Sequence, residues 1–228
     1  MTNALNKHAE VALEGEPYQP VFVNTLRFFE QVSQSLATQT PPFWNDQRPM
    51  LFLNMIRAGQ KHEQHPGFSV AHHVGFKLPR LEQHWEPLQA ILGPYTFVYC
   101  LRPFPSHWLS VCNRWPGHSI AEMAALYLQS IRAAQAMQAS DRVNLVAFGL
   151  EPMSKSPRDH LTDVGQAIGL SAPADWARRV NAAKKANATE KFNDAPRLEL
   201  NEAERDFLNR HPNILRAYDD FWGGVPIA

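Results

Sequence analysis

The run Tyr95 to Leu101, YTFVYCL, is apolar without a polar alternation and stops abruptly at Arg102. A strand of that kind is expected where both faces are covered, which is the condition of a parallel sheet. Pro105 then opens a helix at a position where its missing N–H costs nothing, and Pro116-Gly117 closes it. A long Ala-rich helix over Ile120 to Met137 leads into a second buried strand, Val143 to Phe148, and a helix over Pro157 to Ile168 follows. Strands alternating with helices predict an α/β chain, with a three-layer, doubly wound, mainly parallel sheet flanked by helices. Ligands of such sheets sit at the carboxyl ends of the strands. Arg102 stands at one of these ends.

The remainder is arranged around that unit. Met1 to about His8 reads as the tail of a helix, and EVALEGEPYQP as a turn-rich connection broken by Gly15, Pro17 and Pro20. Helix resumes near Val21, with Leu26, Phe29 and Val32 at helical spacing; TQTPPFWNDQRP interrupts, and Met50 to Ala58 is a short apolar helix. GFSVAHHVGFKLP reads as a strand ending at Pro79, and Leu81, Trp85, Leu88 and Leu92 follow at helical intervals. The 228 residues are enough for one sizeable core, so residues 1–228 are read as one domain, with 171–228 a mainly helical C-terminal extension that includes Glu202 to Tyr218.

Composition narrows the partners. Lys plus Arg and Asp plus Glu stand at 22 each, so the whole molecule offers no general attraction to nucleic acid or an anionic membrane. Any anion must be held locally. No apolar stretch approaches the roughly 20 residues that span a bilayer, and MTNALNKHAE lacks a signal-peptide layout, so a cytoplasmic protein is expected. Cys100 and Cys112, the two cysteines, read as buried thiols of a reducing compartment.

A helix begun by Pro105 places Ser106, Ser110 and Asn113 or Arg114 on one polar stripe, with Leu109 and Cys112 facing inward. A phosphate over its first turn would meet the Arg102 guanidinium, a serine hydroxyl and the positive end of the helix dipole. The plainer alternative is an N-capping Ser106 on a solvated face, with Arg102 in a surface ion pair.

FVYCLRPFPSHWLS resembles the 3′-phosphate-binding segment of the sulfotransferases that use 3′-phosphoadenylyl sulfate (PAPS), in which a strand-end Arg and a helical Ser eight residues later hold the 3′-phosphate. LNKHAEVALEGEP is similar to the family stretch Leu-x-x-His-Pro followed by an acidic residue, Val and Gly-Glu. GFKLP resembles the strand-end Lys-x-Pro segment, and KSPRDHLTDVGQAIGL the helix ending in Leu-Gly-Leu. The resemblance spans nearly all of residues 1–170. It implies a P-loop-like sulfotransferase fold, PAPS as co-substrate without a metal, and a carbohydrate, peptide or small-metabolite acceptor. It assigns the 3′-phosphate to Arg102 and Ser110, the role of base to Glu16, with Glu14 as fallback, and the leaving group to Lys77.

Three departures accompany it. The family's Arg-Ser-Gly-Thr type phosphosulfate loop would lie immediately before Met1, which leads to the expectation of an N-terminally shortened enzyme lacking an interior first strand. Pro103 stands where the family has Asp, and FGLEP replaces Tyr-Glu-Asp-Leu. The rival expectations are a non-catalytic nucleotide- or glycan-binding remnant, and a helical interaction protein that self-associates through a bare sheet edge.

Other clusters have simpler readings. His62, His65, His72 and His73 are too weakly patterned for a metal site, since adjacent strand residues face opposite ways. RRVNAAKKANA suits a helix C-terminus, and Trp85, Trp108 and Trp115 read as core or rim aromatics. Asn187-Ala188-Thr189 is a chance sequon.

Overall fold

The computed structural model describes residues 2–36, 42–60, 64–181 and 196–227. It is a mixed α/β protein with two small parallel sheets. In chain order the elements are α1 (Thr2–Leu5), β1 (Val11–Glu14), α2 (Gln19–Ser35), α3 (Pro42–Ala58), β2 (His73–Phe76), a 3₁₀ turn (Leu81–His84) and α4 (Trp85–Leu92). After these come β3 (Tyr95–Leu101), α5 (Phe104–Arg114), α6 (Ile120–Gln138), β4 (Val143–Gly149), α7 (Leu150–Lys155), α8 (Pro157–Ala167), α9 (Pro173–Asn181), α10 (Glu202–Arg210) and α11 (Pro212–Trp222).

β3 pairs with β4 in parallel from Tyr95↔Val143 to Leu101↔Gly149, and β1 pairs with β2 from Val11↔His73 to Glu14↔Phe76. No described backbone bond joins the two pairs into the single sheet expected from the sequence. They meet instead through side chains. Val11 and Leu13 of β1 share one apolar cluster with Val98, Val146 and Phe148 of β3 and β4, beneath α8 and α9.

Helices lie on both faces of β3–β4. Phe97, Tyr99 and Leu101 point into a cluster with Phe104, Trp108, Tyr127, Ile131 and Phe221 from α5, α6 and α11. The opposite face is only partly covered. Thr96 and Cys100 are exposed there, so β3 alternates after all and Cys100 is not the buried thiol expected. α5 also sits differently on its sheet: Phe104, Trp108 and Val111 are its buried residues, while Leu109 and Cys112 are half-buried.

Three further expectations are corrected. Val11–Glu14 is a strand rather than part of a connection. α3 starts at Pro42 and runs through Pro49, with Phe52 and Ile56 buried against Phe22 and Phe29 of α2. The C-terminal helix is two helices, because Pro212 cannot donate to the turn before it and His211 takes φ −129°, ψ 64°. α6 begins on a capping box in which Ser119 Oγ accepts from Glu122 N at 3.2 Å and Glu122 Oε2 accepts from Ser119 N at 3.3 Å.

The sequence features at the start of the chain and in α8 find one structural reason. Gly169 adopts φ +78° just past α8, a conformation that costs a side chain dearly, and lets Leu170 N reach Gly165 O at 2.9 Å. The turn delivers Ser171 to β1: buried His8 donates from Nε2 to Ser171 O (2.8 Å), and Glu10 accepts from Ser171 N (3.1 Å) and Oγ (2.5 Å). Those two bonds hold the Glu10 carboxyl below its ordinary pKa. Among the described residues, no helix is long and apolar enough to cross a membrane.

Candidate functional site

Parallel pairing fixes where the candidate catalytic groups lie. Because Glu14 is level with Phe76, and Lys77 N continues the ladder by donating to Glu14 O (3.1 Å), Gly15-Glu16 and Lys77 leave the sheet at one carboxyl end. There the Lys77 ammonium donates directly to the Glu16 carboxylate. The pair is half-exposed, at 47% and 33% for the two side chains, so it lies on a rim open to a ligand. Burial lowers the Lys77 pKa, and the Arg114 charge lowers it further.

Glu14 is turned the other way. It is 1% exposed, accepts from Arg57 Nε at 2.9 Å and from His65 N at 3.0 Å, and takes no place on the rim.

Arg102 leaves the carboxyl end of β3 in the same manner. Its backbone carbonyl accepts from Tyr127 Oη at 2.8 Å, and its Nη1 donates to Ser106 O at 3.3 Å. In a regular helix the Ser106 carbonyl is the one that takes the amide of Ser110, so the guanidinium lies over the turn carrying both serines. Both hydroxyl-bearing residues are half-buried, and Ser106 makes no side-chain cap, in contrast with the plainer sequence reading. A guanidinium has five N–H donors, so one bond to Ser106 leaves capacity for an anion.

Charges of both signs lie around Arg102: Arg80 acts on His107, and Glu151 acts on Cys100 and Tyr127. His107, packed between Phe104 and Tyr127 at ring distances of 6.3 and 5.7 Å, is pushed down to a pKa of about 4, first by burial and then by Arg102 and Arg80. With Arg114 acting on Lys77, positive charge flanks both ends of the α5 polar stripe.

His107 also couples this rim to stability. The unfolded chain takes up its proton near pH 6.5 and the native chain near pH 4, so between these values the unfolded state binds more protons. Stability is full above pH 6.5 and falls on acidification, by about 2 kcal/mol from this group at pH 5. Urea midpoints at pH 7.5 and pH 5 should therefore separate more in the wild type than in His107→Gln.

Several residues on which the site leans carry no sequence signal. Tyr127 lies on a helix whose pattern reads as core, and Arg57 and Glu14 are 43 residues apart. Arg80 has φ 60°, a left-handed conformation that an arginine does not announce in the sequence.

The structure also separates features that the sequence grouped. A hollow of about 450 Å³ lies among β4, α8 and α11, lined by Phe148, Gly149, His160, Asp163 and Tyr218, and another of about 340 Å³ lies beside Cys100, Leu150 and Leu161. Glu16, Lys77, Arg102 and Ser110 line neither. Of the histidines, His62 lies outside the described residues, and His65 Nδ1 accepts from Gly67 N at 3.1 Å. Among the described residues, no group of three or more His, Cys, Asp or Glu is placed to hold a metal ion. Trp108 is buried, Trp115 is exposed beneath the Arg114 guanidinium, and the sequon and Lys184 and Lys185 lie outside the described residues.

No protein-family model, curated protein or solved structure matches this chain.

Proposed function

We propose that the chain is a PAPS-dependent sulfotransferase domain, in which the two parallel pairs belong to one doubly wound, P-loop-like sheet. The observation that supports it most is the meeting of Glu16 and Lys77, brought from strands far apart in sequence to one carboxyl end. On this reading Arg102 and Ser110 hold the nucleotide 3′-phosphate, and a cytoplasmic setting supplies PAPS and a carbohydrate, peptide or small-metabolite acceptor.

The chemistry is an in-line displacement at sulfur, where positioning and charge stabilisation dominate, as in phosphoryl transfer. The acceptor oxygen or nitrogen bonds to sulfur while the bond from sulfur to the bridging phosphate oxygen breaks. Glu16 takes the acceptor proton, and Lys77 neutralises the charge left on the departing phosphate. The ion pair suits this division of labour. While Lys77 holds Glu16, the ammonium occupies a carboxylate oxygen; once it turns to the leaving oxygen, that oxygen is free to take the acceptor proton. A positioned base contributes about 10²- to 10⁴-fold.

No Arg-Ser-Gly-Thr stretch stands in the sequence, so the decisive test addresses the 3′-phosphate end. Calorimetric titration of the protein with adenosine 3′,5′-bisphosphate is expected to give saturable one-to-one binding. A featureless titration, with no protection of the protein against thermal unfolding, would overturn the reading.

A further inference from the structure

We infer that the end of α3 and the turn that follows it, Arg57 to Gln60, are the positioning device for Glu16, with Arg57 acting through Glu14. This rests on the reading of Glu16 and Lys77 as the reacting pair, and it assigns that pair a support that lies outside the sheet.

Glu16 sits in a short crossing from β1 to α2, and that crossing is fastened to α3 on both sides of it. Before Glu16, buried Glu14 accepts from Arg57 Nε (2.9 Å) and His65 N (3.0 Å), and Arg57 Nη2 donates to His65 O (3.2 Å). The Arg57 guanidinium also lies 5.0 Å from the centre of the Phe68 ring, so its orientation is set on several sides. After Glu16, Pro17 pairs with Gln60 in an isolated antiparallel bridge, and Tyr18 N donates to Gly59 O at 2.9 Å. Residues 14 and 18 are thus both tied to one helical turn, and the chain between them is too short to carry Glu16 far.

The close approach is built into the sequence. A Cβ on Gly59 would stand 2.3 Å from Val21 Cγ1, so only glycine lets the end of α3 come this near the start of α2. At the other side, Glu14 O accepts from Lys77 N (3.1 Å), so the residue whose carboxylate Arg57 holds is the one that sets the height of Lys77 in the ladder. A single carboxylate clamp therefore registers both partners. Burying it costs desolvation that only a complete set of donors offsets, which fits a role beyond simple packing.

The test reads the pair directly. Lysine amines of the full chain are dimethylated with ¹³C formaldehyde, Lys77 is assigned by Lys77→Arg, and its resonance is followed in Glu16→Gln, Arg57→Ala and Glu14→Gln. Glu16→Gln should move the Lys77 resonance, and both clamp variants should move it in the same direction by at least half as much. If Glu16→Gln moves it while folded Arg57→Ala and Glu14→Gln leave it at the wild-type position, the inference is wrong and the pair stands. If Glu16→Gln leaves it unmoved, the pairing fails first and takes the inference with it. A second measurement needs no variant: in the wild type, the Tyr18 and His65 amides should exchange at least ~100-fold more slowly than in an unstructured chain. Exchange at the unstructured rate would overturn the clamp.

Discussion

Arg102→Ala is expected to weaken adenosine 3′,5′-bisphosphate binding by about 2 to 5 kcal/mol, roughly thirty- to several-thousand-fold. The size follows from the position of the side chain. Arg102 is half-buried at the carboxyl end of β3, with its backbone carbonyl fixed by Tyr127 and one guanidinium N–H fixed on Ser106 O. Its remaining donors therefore reach an anion with little ordering left to do, and planar guanidinium donors match phosphate oxygens better than an ammonium does. Arg102→Lys should accordingly recover little of the loss, whereas Ser110→Ala, which removes one hydrogen bond to a charged group, should cost about 1.5 to 3 kcal/mol. Calorimetry on the three variants gives the ranking. An Arg102→Ala protein that binds like the wild type would remove Arg102 from the site.

The second large effect concerns what holds α5 in place. Glu204 begins α10 in a capping box with Asn201, and its Oε1 also accepts from Trp108 Nε1 and Arg197 Nη2, each at 2.7 Å. Asn113 of α5 closes the same junction by donating to Arg197 O and accepting from Arg197 N, both at 2.8 Å. Burial works to raise the Glu204 pKa, but the bonds from Arg197, the Asn201 backbone and Trp108 outweigh it and hold the group below 4.5. Glu204→Ala leaves a buried indole donor and the Arg197 guanidinium without their acceptor and removes the reciprocal half of the capping box, the bond from Asn201 N, a loss of about 3 kcal/mol together. For a chain of this length that lowers Tm by roughly 6 to 12 °C, readable by scanning calorimetry. A native pKa below the unfolded one means this stabilisation is present at neutral pH and is lost as pH falls below 4.5. Glu204→Gln, which keeps an acceptor for Trp108, should lose less. Equal Tm values for Glu204→Ala and the wild type would show that α10 is not fastened through this carboxylate.

These two sites differ in how far the sequence announces them. β3 and β4 are legible almost to the residue, because short, largely apolar runs bounded by Pro, Gly and charge read as strands whether one face is covered or both. β1 is not. Four residues beside Gly15, Pro17 and Pro20 carry the local signature of a turn, and Val11–Glu14 becomes a strand only because β2 supplies its partner from far along the chain. α3 likewise runs through Pro49, where local propensity argues for a break, because Phe52 and Ile56 are buried in the core and Arg48 Nε reaches Ile91 O at 2.9 Å. The break at Pro212 was visible in the residue itself, and the apolar spacing on either side concealed it.

The candidate site divides in the same way. Arg102 and the α5 serines follow from strand and helix boundaries alone, whereas the Glu16–Lys77 pair is suggested only by family resemblance and is brought together by the β1–β2 register. The clamp from Arg57 to Glu14 has no sequence signature, since a buried ion pair between distant positions leaves no periodic trace. Cys100 illustrates the opposite case. Its apolar neighbours imply burial, and it is exposed beside a hollow that Leu150 of α7 and Leu161 of α8 also line.

The account stands on a nucleotide 3′-phosphate being read where β3 meets α5. Comparing the affinity for adenosine 3′,5′-bisphosphate with that for adenosine 5′-monophosphate under identical salt isolates that one group. The bisphosphate is expected to bind at least ~30-fold more tightly, and the difference to narrow by at least ~30-fold in Arg102→Ala. Equal affinity of the wild-type protein for the two nucleotides would contradict it.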